Sequence, residues 1–110
     1  MIKPTIIIQI SQSTQEVRDE IVAGIEEEGV LYEVVYEKTL QSACMLAQVA
    51  AQMSQLEVGI GIYGKEAILT THKLSGQPLL HTNSEYRALG QNAARYVKGN
   101  SFTQMIGGEL

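Results

Sequence analysis

The sequence predicts an α/β fold, a three-layer sandwich around a mixed, mainly parallel central sheet. Three observations carry that expectation. Residues 5–10 read Thr-Ile-Ile-Ile-Gln-Ile, a short continuous β-branched run of the kind that forms a strand buried on both faces. Strand-like runs then alternate with two stretches of helical period, so the chain opens as strand-helix-strand-helix-strand, the order of right-handed parallel crossovers. Finally, only Gly64-Lys65-Glu66 separates the third and fourth strand-like runs. That spacing suits a hairpin and therefore an antiparallel pair.

The elements follow in order. Residues 11–14 (Ser-Gln-Ser-Thr) break the first strand, and Ser13 with Glu16 fits a capping box, in which two side chains satisfy orphan amides at a helix start. Val17, Ile21 and Ile25 recur every four residues with Val22 beside them, and Arg18, Asp19 and Glu26 fall on the other side. This is an amphipathic helix of about four turns, ended by Gly29, which enters the left-handed region without a Cβ penalty. Residues 30–36 form a second strand. Residues 39–54 form a second helix whose apolar side includes Leu40, Ala43, Cys44, Leu46 and Ala47, small enough for close packing on a sheet. Residues 58–63 and 67–71 are the third and fourth strands, and residues 79–82 a short fifth. Ser84 opens a third helix with a buried stripe of Tyr86, Leu89, Gly90, Ala93 and Val97. Residues 1–102 are expected to form one domain, and residues 103–110 a flexible C-terminal tail.

Composition narrows the class. A length of 110 residues suits one domain. With 45% hydrophobic and 18% charged residues the chain can build a core, which a disordered chain cannot. One cysteine, Cys44, allows no intramolecular disulfide and points to a reducing, cytoplasmic compartment. No apolar run approaches the ~20 residues of a membrane span, and the N-terminus lacks the long apolar region of a signal peptide. A net charge of −4 argues against binding nucleic acid by bulk attraction. The expectation is a cytoplasmic protein with neither nucleic acid nor membrane as partner.

The chemistry candidates are few. Gly59-Ile60-Gly61-Ile62-Tyr63-Gly64 is literally G-x-G-x-x-G. A phosphate cradle of that type requires a helix N-terminus after it, and a strand-like run follows instead. The glycines are therefore expected to allow close backbone approach and a tight hairpin. His72, His81 and Cys44 show no zinc spacing. The cysteine is expected to be buried mid-helix, and the histidines to lie on the surface or in loops.

The acidic run Glu26-Glu27-Glu28 is more informative. It sits at the C-terminal end of the first helix, where the macrodipole already places partial negative charge. Either it is a solvated acidic face, or a cation or basic surface compensates it. Carboxylates suit hard cations such as Mg²⁺ and Ca²⁺, and a single cluster would need ligands from another chain. Arg87, Arg95 and Lys98 on the third helix are expected to aid solubility and to complement that helix's own dipole. No nucleophile has an obvious neighbouring base, so the residues alone describe a domain that works by contact with a partner. An alternative is a small-molecule or nucleotide-binding α/β domain, with a pocket at the strand ends lined by Ser11, Ser13 and residues 61–64.

Two stretches carry a resemblance: Gly24-Ile25-Glu26-Glu27-Glu28-Gly29-Val30, and Leu89-Gly90-Gln91-Asn92-Ala93-Ala94-Arg95-Tyr96-Val97-Lys98-Gly99. They resemble hallmark segments of the small (β) subunit of the diol/glycerol dehydratase reactivating factor. Val58-Gly59-Ile60-Gly61 falls between them, as in that family, and the likeness runs from Thr5 to about Phe102. The chain is at the short end for the family, and the residues after Phe102 have no clear counterpart in it.

The resemblance implies a fold similar to the medium subunit of B12-dependent dehydratases and a non-catalytic role. Those dehydratases inactivate themselves when the adenosyl group is lost and damaged cobalamin stays bound. The reactivating factor is a chaperone-like complex, expected to hold two large and two small subunits, with ATP bound and hydrolysed by the large one. The small subunit leaves the large one, the dehydratase's own subunit takes its place, and the resulting clash releases cobalamin. The family also implies a divalent cation, Mg²⁺ or Ca²⁺, between large and small subunits, with one glutamate from the acidic segment. Matching that segment residue by residue gives Glu27, with Glu26 and Glu28 as register alternatives. No cofactor is expected on this chain alone. Association with a bacterial microcompartment and self-association of the isolated chain are both compatible with this resemblance. A further reading, that the chain is itself a dehydratase medium subunit, has to accommodate the greater length of those subunits and their cobalamin-contacting region.

Overall fold

Every residue of the first strand, β1 (Ile6–Ser11), is buried, Gln9 and Ser11 included, as in a strand covered on both faces. The computed structural model describes residues 3–39, 41–74 and 77–105. Within them the chain forms β1, α1 (Gln15–Glu27), β2 (Tyr32–Tyr36), α2 (Ala43–Met53), β3 (Val58–Tyr63), β4 (Glu66–Thr71), a short 3₁₀ turn (His72–Leu74), β5 (Leu80–Thr82) and α3 (Tyr86–Lys98).

The strands make one sheet in the order β2-β1-β3-β4-β5. β1 pairs in parallel with β2 and with β3. β4 runs antiparallel to both β3 and β5, so four of the five strands point the same way. The mixed sheet and three layers expected from the sequence are present. α1 and α3 lie side by side on one face, where Ile6, Ile8 and Ile10 meet Val17, Ile21, Ile25 and Leu89 in the main core. α2 covers the other face with Ala43 and Ala47 against Ile68.

The glycines of β3 explain how α2 fits. A Cβ on Gly59 would meet the Ala51 amide, and one on Gly61 the Ala43 carbonyl oxygen. The helix backbone therefore rests directly on the strand. Gly64, at φ +61°, makes the turn into β4. The G-x-G-x-x-G string is a packing and hairpin device, as expected.

Several local expectations shift. The α1 N-cap is Thr14, whose side chain accepts from the Val17 amide, and the Ser13 hydroxyl instead donates to the Gly64 carbonyl at 2.7 Å. α2 starts at Ala43 because Ser42 caps it, accepting from the Met45 amide. The amides of Lys38 and Thr39 turn onto the Glu37 carboxylate instead. Leu40, expected on the apolar side of that helix, lies outside the described residues. Gly29 does end α1, at φ +77°. Cys44 is half-buried in the first turn of α2, not mid-helix, and packs against the Ala43–Ile68 cluster. His72 is exposed in the 3₁₀ turn, whereas His81 sits half-buried in β5 with an unpaired Nδ1.

The C-terminal segment differs more. Residues 103–105 are not a loose tail. Asn92, fully buried on α3, donates from Nδ2 to the Thr103 carbonyl, and its Oδ1 accepts from the Thr103 amide and hydroxyl. Met105 is buried in the main core. A buried amide in this position replaces the missing strand or helix partner for an irregular backbone. The rest of the expected tail, residues 106–110, lies outside the described residues.

Candidate functional site

α1 and α3 run parallel and touch backbone to backbone. A Cβ on Gly24 would meet the Arg87 carbonyl oxygen, and one on Gly90 the Ile21 carbonyl oxygen. This close approach lines up the acidic side of α1 with the basic side of α3. Arg87 donates from Nη2 to Glu20 and from Nη1 to Glu27, both at 2.9 Å. Gln91 Nε2 donates to the other Glu27 oxygen at 2.7 Å. Arg95 Nε reaches Glu28 Oε2 at 3.1 Å, and Lys98 Nζ reaches Glu28 Oε1 at 2.9 Å. Lys98 also donates to the Glu28 carbonyl at the end of α1, neutralising one of the carbonyls that the helix terminus leaves open.

The three glutamates of the acidic run therefore have different fates. Glu26 faces β2 and accepts from the Tyr32 hydroxyl at 3.4 Å. Glu27 is shared between Arg87 and Gln91 and keeps a half-exposed side chain. Glu28 is largely enclosed, its side chain 14% exposed. The Lys98 ammonium first, then Arg95, holds its carboxyl below the usual carboxylate range. Glu20 first, then Glu27, raises the Arg87 guanidinium above its ordinary value.

This arrangement corrects the role expected of Arg87, Arg95 and Lys98. They do not only serve their own helix; they compensate the acidic end of α1. Glu20, Gln91 and Asn92 were not singled out as partners from the sequence. The available signal was the complementary charge on two amphipathic helices that pack on the same face of the sheet.

The alternative ligand pocket does not form as expected. The Ser11 hydroxyl donates to the Thr39 carbonyl and the Ser13 hydroxyl to the Gly64 carbonyl, while Gly61 is covered by α2. A shallow cavity of about 280 Å³ lies nearby, lined by Ile10, Ser13, Thr14, Gln15, Arg18 and Tyr36. Arg18 in it is already paired with Asp19 and donates to the Tyr36 hydroxyl.

A family model described as the dehydratase medium subunit matches residues 3–103. A propanediol dehydratase-reactivating factor small subunit of Citrobacter freundii is 33% identical over 107 residues, covering 92% of this chain and 91% of its own length. Among solved structures, a glycerol dehydratase reactivase superposes with a TM-score of 0.86 at 27% identity, covering 93% of this chain and 98% of the matched one. A diol dehydratase-reactivating factor complexed with ADP and Mg²⁺ superposes with a TM-score of 0.84 at 28% identity, covering 94% of this chain and all of the matched one. The chain belongs to the dehydratase medium subunit family, as a relative of the reactivating-factor small subunits.

Proposed function

We propose that this chain is the exchangeable, non-catalytic small subunit of an ATP-dependent, chaperone-like factor that reactivates a B12-dependent diol or glycerol dehydratase. The observation that carries the reading is the likeness to reactivating-factor small subunits along nearly the whole chain. In this reading the chain binds a large subunit that holds and hydrolyses ATP, two large with two small. It then leaves, and the dehydratase's own medium subunit takes the vacated place. The clash opens the dehydratase, damaged cobalamin escapes and adenosylcobalamin is reloaded. A match to the dehydratase medium subunit model supports the exchange, because chains of one fold can present one docking surface. The setting would be the cytoplasm, with or without a bacterial microcompartment. The nucleotide is assigned to the large subunit, since the G-x-G-x-x-G of this chain lies against α2 and into a hairpin.

We assign Glu27 as this chain's ligand to a divalent cation shared with the large subunit. The donor chemistry fits: a half-exposed carboxylate at the outer end of α1 can offer an oxygen to Mg²⁺ or Ca²⁺. Glu28 fits less well because both its oxygens are held by cations, and Glu26 is turned toward Tyr32. Among the described residues no three His, Cys, Asp or Glu side chains are grouped to hold a metal by themselves, so the remaining ligands would come from the partner. A cation bound there would tie the α1 terminus to oxygen ligands of the large subunit.

Co-expression with the large subunit and capture on a tag carried by this chain tests both statements. The large subunit should be retained in Mg²⁺ and released by a chelator, and Glu27→Gln should remove that difference. A chain that retains no large subunit refutes the subunit assignment. Retention that is cation-dependent in Glu27→Gln refutes only the ligand assignment.

A further inference from the structure

Arg87 spans two carboxylates on one face of α1. Glu20 and Glu27 are seven residues apart, two helical turns, so both project toward α3. The guanidinium donates one nitrogen to each at the same distance, 2.9 Å. Its third donor, Nε, is buried and has no partner. The residue is thus anchored at two points and at no third. A planar fork with separate donors can release one carboxylate while keeping the other. The other contact to Glu27 comes from Gln91, which is neutral and carries no charge into the exchange.

We infer that Arg87 is a releasable counter-ion for Glu27: it holds that carboxylate in the free subunit and withdraws onto Glu20 when the large subunit and its cation arrive. This rests on the assignment of Glu27 as the shared ligand. A guanidinium and a divalent cation repel each other across one carboxylate, so each weakens the hold of the other on it. Arg87 has somewhere to go, since its Nη2 already holds the Glu20 carboxylate at 2.9 Å. The ion pairs are between partly exposed groups, and such pairs contribute little, so the exchange is easy. The consequence is coupling. Glu27 stays neutralised in the free chain, and the cation is taken only together with the partner's ligands. Arg87 and Glu20 are positioning residues for the docking step.

The test is a Mg²⁺ titration of the association between the chain and the large subunit, with Arg87→Gln, Glu20→Gln and Glu27→Gln compared. Arg87→Gln removes the competitor, and half-maximal association should shift to about two- to five-fold lower Mg²⁺. Glu20→Gln leaves Arg87 with Glu27 alone and should shift it upward by a similar factor. Structural damage would weaken both variants alike, and the change in charge alone would leave Arg87→Lys unshifted. If Arg87→Gln folds poorly, Arg87→Lys, a point charge that cannot span both carboxylates, should shift in the same direction as Arg87→Gln. Loss of cation dependence in Glu27→Gln, with Arg87→Gln and Glu20→Gln unshifted or shifted the same way, overturns the exchange and leaves the ligand assignment standing. Cation dependence that survives Glu27→Gln overturns the ligand assignment, and the exchange with it.

Discussion

Gly24 on α1 and Gly90 on α3 form a reciprocal contact, each leaving room for the other helix's backbone. A glycine inside a helix is ordinarily about 1 kcal/mol worse than alanine, so Gly→Ala would stabilise an open position. Here the added methyl meets a carbonyl oxygen that belongs to another helix and cannot rotate away. The sign reverses. Gly24→Ala and Gly90→Ala are each expected to destabilise by about 1–3 kcal/mol, the range for overpacking. Urea denaturation measures this directly. A melting temperature that rises in either variant would show that the helices do not meet at these residues.

The Glu28 pairings make stability depend on pH. Lys98 and Arg95 lower the Glu28 pKa in the folded chain relative to the unfolded one. A depressed carboxylate contributes stability that is fully present above the ordinary carboxylate range and is lost as pH falls through the folded value. The urea midpoint should therefore drop on acidification below that range. Glu28→Gln should lower the midpoint at neutral pH and flatten this part of the acid dependence. An acid limb equally steep in Glu28→Gln would remove Glu28 from the account.

Asn92 ties residues 103–105 to the domain. Asn92→Ala would leave the amide and carbonyl of Thr103 without their partners, a loss of about 1–3 kcal/mol for unsatisfied buried groups. Ending the chain after Phe102 should cost at least as much, because buried Met105 is lost too. Combining the two changes should cost less than their sum, since they remove one shared interaction. Strict additivity in denaturation midpoints would mean that Asn92 and Thr103 act independently.

The order of elements was legible because each signal was local. A run of β-branched residues, four-residue apolar spacing and a three-residue break need no knowledge of distant contacts. The reading of Gly59 and Gly61 held for the same reason: what followed them was a strand, not a helix. The start of α2 was misread through local contacts, since Ser42 caps it and Glu37 takes the amides before it; the other misreadings involve partners far along the chain. Ser13 looked like the cap, but its hydroxyl goes to Gly64, and Thr14 beside it serves instead. Asn92 carried no signal in the sequence, because its partner is the irregular segment at Thr103 that folds over it. The unfavourable charge at Glu26, Glu27 and Glu28 was visible, yet its compensation lay some sixty residues on, at Arg87, Arg95 and Lys98. The acidic run was a sound sign of compensating positive charge, and the structure supplies that charge from α3 of the same chain. Glu27 is half-exposed and paired with Arg87, and it is the residue on which the proposed cation contact is to be tested.

The subunit-exchange account is tested most directly by recovery of an inactivated enzyme. A B12-dependent dehydratase carrying damaged cobalamin would be incubated with the large subunit, ATP, Mg²⁺ and fresh adenosylcobalamin, with and without this chain, while released cobalamin is followed by its absorbance. The account predicts that cobalamin release and activity return only when both subunits are present. The same cobalamin release and recovery with the large subunit alone would contradict it.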